Sequence, residues 1–168
     1  MNLSQMLLPE FDHEMNTTLK ILNELSTDFF DFQPHQKSMT TQQLANHIAE
    51  IPTWVNGILD YSELDFESRP YKPLEFKTKK EVIAFFNKNV INAKKSLAIA
   101  TNENMLSDWS LKKGNHVFFT LPKTAVIRSM VLSHIIHHRA QLGVYLRIND
   151  AKVPASYGDS ADTKNEFS

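Results

Sequence analysis

The chain has 168 residues, 42% hydrophobic and 22% charged, which suits one globular unit with a core large enough to need no covalent staples. It contains no cysteine, so thiolate metal sites, a cysteine nucleophile and a disulfide framework are all excluded. A formal charge of −1 gives no basic surplus for a nucleic-acid footprint.

The amino-terminal run Met1 to Leu8 has no basic lead and soon meets Glu10 and Asp12, so it does not read as a signal peptide. No apolar stretch approaches the ~18 residues that span a bilayer. The expectation is a cytoplasmic protein with no membrane partner.

Four segments carry helical periodicity. Leu8, Phe11, Met15, Leu19, Leu22 and Leu25 recur at steps of three and four, which aligns them on one helix face. The second segment opens at Thr40 with Gln43 as the reciprocal partner of a capping box, then runs through Leu44, Ile48, Ile51, Val55 and Ile58. Pro52 predicts a kink inside it. The third opens at Thr78 with Glu81 and continues through Val82, Phe86, Val90, Ala93 and Leu97. Between it and the fourth, Trp109–Leu111 and Val117–Phe119 flank Lys113-Gly114-Asn115, predicting a short β-hairpin. The fourth helix starts near Thr120 and Pro122 and carries Ile127, Val131, Leu142 and Tyr145. The stretch from Tyr61 to Lys77 is long enough for a crossover. These elements predict an all-α fold: a four-helix bundle over residues 1–150, with a tail over 151–168 that packs on it or frays.

Histidines mark the candidate site. His134 and His138 are four apart, one turn of helix, and fall on the apolar stripe of the fourth helix. His47 lies three residues after Leu44 and four before Ile51, so it also points inward. Three neutral imidazoles facing one interior would hold a divalent ion with a coordination position left open. A lone inward histidine is also what a hydrogen-bonded core residue looks like, so the conjunction matters more than any one ring.

Other residues have plainer readings. Glu50, one turn beyond His47, reads first as a solvated glutamate and second as a residue that orients a ligand imidazole or a water. Arg139 and Arg147 are expected at the surface. His137 belongs to a second apolar strip with Val126, Met130 and Val144, which reads as a subunit interface or further core. His13, His35 and His116 read as surface residues.

Rival metal motifs fail on what is missing. A His-Glu-x-x-His protease site would need glutamate where Ile135 stands. A di-iron carboxylate site matches once, at Glu10-Phe11-Asp12-His13, but the fourth helix supplies no carboxylate.

Two blocks carry a family resemblance. The first is Ser38-Met39-Thr40 leading to Leu44-Ala45-Asn46-His47-Ile48 and Pro52-Thr53-Trp54. The second is His134-x-x-x-His138-Arg139-Ala140-Gln141-Leu142, followed by Tyr145-Leu146-Arg147 and Val153 to Gly158. The chain resembles the DinB superfamily of DinB/YfiT-like metalloenzymes, departing from it at Ala140, where the family's motif has glycine. The resemblance implies an up-down-down-up helical arrangement, often a homodimer, and a metal held by His47, His134 and His138. Zinc or nickel suits three imidazoles. Reactions in that family include thiol transfer using a low-molecular-weight thiol and metal-dependent hydrolysis. The expected function is thiol-dependent S-transfer to a small-molecule electrophile, with hydrolysis by a metal-bound water and a non-catalytic, metal-stabilised dimer as the alternatives.

Overall fold

The structure is a computed structural model that describes residues 2–164. The first helix, α1 (Leu3–Asn23), is capped by Asn2, whose side chain accepts the Ser4 N–H. α2 (Thr41–Glu50) and α4 (Lys79–Ile99) each open with a complete capping box, Thr40 with Gln43 and Thr78 with Glu81. Between them Pro52 does more than kink a helix. It has no N–H to donate, so α2 ends and α3 (Thr53–Asp60) begins anew, with the Thr53 hydroxyl donating to the Glu50 carbonyl.

The all-α expectation is overturned. Among the described residues three strands form one mixed sheet in the order β1-β2-β3. β2 (Asp108–Lys113) and β3 (His116–Pro122) pair antiparallel around Gly114, whose φ of +56° is the turn conformation a side chain resists. β1 (Glu63–Asp65) then adds parallel to β2, pairing Leu64 with Leu111. The Asp65 carboxylate accepts the Gly114 N–H at 3.0 Å, which ties the added strand to the turn. With β1 docked, the segment expected to cross over freely becomes part of a sheet. Trp109 and Leu111 of β2 point into the core. A four-helix bundle with an appended hairpin is therefore not the architecture: short α5 (Asn102–Leu106) and the sheet complete a mixed fold.

The last long helix is also composite. α6 (Lys123–Ile127) passes through a π-helical segment, Arg128–Ser133, into α7 (His134–Ile148). A π-turn holds more residues than an α-turn, so it shifts the phase of everything after it. On a regular wheel of about 100° per residue, His134 and His138 sit mid-stripe. In the structure Ile135, Arg139, Leu142 and Leu146 take the buried centre and the two histidines stand half-buried at its margin. The second apolar strip is divided by the same shift: Val126 is fully buried, whereas His137 and Val144 face out.

The core is continuous, from Phe11 and Met15 of α1 through Leu44, Ile48, Val55, Phe86 and Leu97 to Val131 and Leu146. α7 packs on both α1 and α2, which sets the last histidine pair opposite His47. The tail is part of this packing as far as it is described: Val153 lies against the core, and Asp162 pairs with Arg147. Residues 165–168 of the expected tail segment lie outside the described residues. Among the described residues no helix is long and apolar enough to cross a membrane.

Candidate metal centre

His47 comes from the last turn of α2; His134 and His138 come from the first turns of α7. Their Nε2 atoms converge. His134 Nε2 stands 3.1 Å from His47 Nε2 and 2.9 Å from His138 Nε2, and one ligand atom from each ring lies within 4.8 Å of the others.

Each outer nitrogen faces an oxygen. His138 Nδ1 is 2.8 Å from Gln141 Oε1, His134 Nδ1 is 3.3 Å from the Met130 carbonyl, and His47 Nδ1 is 3.9 Å from Glu50 Oε2. The Met130 contact follows from the π segment. The His134 backbone N–H turns to the Val131 carbonyl, and the Met130 carbonyl, its partner in a regular α-helix, is left facing the ring. Against a carbonyl, which can only accept, the His134 ring must carry its proton on Nδ1. Its Nε2 is then a bare lone pair.

All three rings are disposed to be neutral. Burial pushes His47 down to about 4, with the neighbouring His138 and His134 rings adding to the effect. Burial also lowers His134 and His138. With its proton held outward, His134 turns its lone pair towards the Nε2 atoms of His47 and His138 about 3 Å away, an arrangement that a cation among the three rings would relieve. The donor set fits such an ion. Imidazole–zinc bonds of about 2.0–2.1 Å in a tetrahedral arrangement bring neighbouring nitrogens to roughly 3.3 Å, close to the two spacings at His134, and the third pair lies within 4.8 Å.

Two flanking residues behave differently from their sequence reading. Glu50 does not stand free in solvent: burial raises its pKa, and the Tyr71 hydroxyl donates to its Oε2 at 2.9 Å. Tyr71, supplied by the segment between β1 and α4, carries no sequence signal for this role. Its own pKa is pushed up to about 12 by burial and by the Glu50 carboxylate. Arg139, expected at the surface, is 3% exposed and makes a 2.8 Å ion pair with Glu14. Arg147 does lie exposed, paired with Asp162. His137 is exposed beside the site, its ring against His138.

A mixed helical fold that closes three imidazoles on one point defines a candidate metal-binding protein. The DinB family profile matches residues 1–165, and the chain belongs to the DinB family. Among solved structures it is similar to a DinB-like protein of Bacillus subtilis, with a TM-score of 0.70 and 18% identity over 90% of this chain and 97% of that one. A DinB-like protein of Bacillus cereus gives 0.67 and 19%, over 90% and 95% of the two chains. At these identities the likeness is one of fold. No curated protein matches the sequence.

Proposed function

We propose that this chain holds one divalent transition-metal ion on Nε2 of His47, His134 and His138 and uses it for thiol-dependent S-transfer to a small electrophile. The observation that supports the reading is the convergence of three neutral nitrogens whose opposite ring atoms all face acceptors.

A zinc or nickel ion bound there supplies Lewis acidity, which favours the thiolate form of a thiol. The chain's own residues do the rest. The Met130 carbonyl and Gln141 fix the planes and protons of the α7 pair, and Glu50, held by Tyr71, backs His47. Because the three ligands are neutral, the site keeps an attraction for an anionic group. Since the chain has no cysteine, the sulfur must come from a small molecule. Among the described residues no carboxylate joins the histidine cluster, and Glu50 lies behind His47 rather than on its Nε2 side. Hydrolysis would lack a general base where water would have to be deprotonated, which ranks transfer first.

The test is elemental analysis of untagged protein, followed by a panel of low-molecular-weight thiols with a chromogenic electrophile, with and without chelator. Stoichiometric metal and thiol-dependent turnover that chelation removes are expected. His134→Ala should lose the metal and retain its helical circular dichroism. Thiol-free ester cleavage would turn the reading to hydrolysis, and metal without any turnover would turn it to a binding role.

A further inference from the structure

Behind the Glu50–Tyr71 contact lies a second cleft, of about 310 Å³, between the α2–α3 break and the sheet. That volume is in the range of small-molecule sites. Its walls are aromatic: Trp54 of α3, Tyr61 and Phe66 beside β1, and Trp109 of β2. A narrower cleft of about 220 Å³ lies on the His47 side, and Tyr71 lines both. Glu50 lines the aromatic cleft, stands 3.9 Å from His47 Nδ1 and accepts from Tyr71, so these two side chains link the cleft to the outer face of the His47 ring.

The carboxylates of the aromatic cleft are engaged, whereas its cations lack acidic partners among the described residues. Of its two carboxylates, Glu63 is paired with Lys112 at 2.8 Å and Glu50 accepts from Tyr71. Of its two cations, Arg69 lies over the Tyr61 ring, 4.8 Å from its centroid, and Lys72 stands at the mouth. Neither cation has an acidic partner among the described residues. Apolar flat walls with two cations that have no acidic partner suit a flat apolar body that carries a negative charge.

We propose that this cleft binds an aromatic or unsaturated organic anion, its flat body between Trp54, Tyr61 and Phe66 and its carboxylate on Arg69 and Lys72. This binding does not rest on the function proposed above.

The test uses naphthoate as probe, with naphthalenemethanol and naphthalenemethylammonium as its neutral and cationic counterparts, followed by calorimetry on the full chain. The chain's two tryptophans both line the cleft, so their indole N–H resonances report where the probe sits. Saturable naphthoate binding that shifts both indole signals is expected, with the neutral probe weaker by about threefold to tenfold and the cation weaker still. Arg69→Gln and Lys72→Gln, both at exposed positions, should each reduce naphthoate affinity by a similar factor and leave the neutral probe unchanged. Equal affinities for the three probes, or indole signals that do not move, would overturn the proposal. In His47→Ala, naphthoate binding should persist without metal. A wild-type chain that binds naphthoate but no metal would sink the metal reading and keep the cleft, and metal without naphthoate would do the reverse.

Discussion

His47 illustrates how burial becomes a pH dependence. In the metal-free fold its ring titrates near 4, whereas an unfolded histidine titrates near 6.5. Between those values the unfolded chain binds a proton that the folded chain refuses, so stability rises with pH across that window. The contribution is complete above the unfolded value and disappears as pH falls towards 4. In metal-free protein, His47→Gln should flatten the acid limb of stability measured by urea unfolding from pH 6.5 to 4; an unchanged slope would show that the ring is not held neutral. The residues behind the rings should act on metal affinity. Gln141→Ala and Glu50→Gln are each expected to weaken it by about 10- to 100-fold, read by competition with a chromophoric chelator. An affinity equal to wild type would make those contacts incidental. The three histidines were legible because side-chain type and helical spacing together announce them. Met130 was not, because it contributes a backbone carbonyl, which every residue has. Tyr71 arrives from a distant loop and matches no spacing rule.

At the scale of elements, helix starts read more clearly than helix phase. Thr40–Gln43 and Thr78–Glu81 mark their helices because a cap is a local hydrogen-bond pattern. The π segment is a departure from the periodicity on which any wheel depends, so Arg139 was displaced from its true face. β1, three residues long, is too short to show alternation and exists because β2 offers it an edge. The π segment can be tested directly. Deleting Ser129 should turn the segment into regular α-helix and, because the π-turn accommodates one extra residue, leave the buried faces of α6 and α7 in line. The His134 N–H would then return to the Met130 carbonyl, so weakened metal binding with retained helicity is expected, by chelator competition and circular dichroism. Wild-type metal affinity in the deletion variant would show that the carbonyl contact does not tune the site.

For the whole molecule, the buried group that matters most is Arg139. Its guanidinium pairs with Glu14 on α1, donates to the Thr18 hydroxyl, and donates to the Tyr157 hydroxyl at 2.7 Å. Tyr157 in turn donates to Glu14 at 2.8 Å. Arg139→Ala would strand the Glu14 carboxylate in the interior, at a cost of about 3–5 kcal/mol. For a chain of this size that is a fall of roughly 10 °C in melting temperature. Replacing both charges, Arg139→Met with Glu14→Leu, should recover much of the loss, since an apolar pair of similar bulk needs no counter-charge. A single variant with wild-type melting would mean that water reaches Glu14.

Tyr157 stands beyond the last helix, yet it closes this network and stacks on His13 of α1. A fragment trimmed at Ile148, where helical content ends, would therefore not be a tidier version of the same unit. It would amputate a hydroxyl from the interior and open a seam between the first and last helices. For this protein the useful cutting point for fusions or minimal fragments is set by a tyrosine in an irregular segment, not by where the ribbon stops coiling.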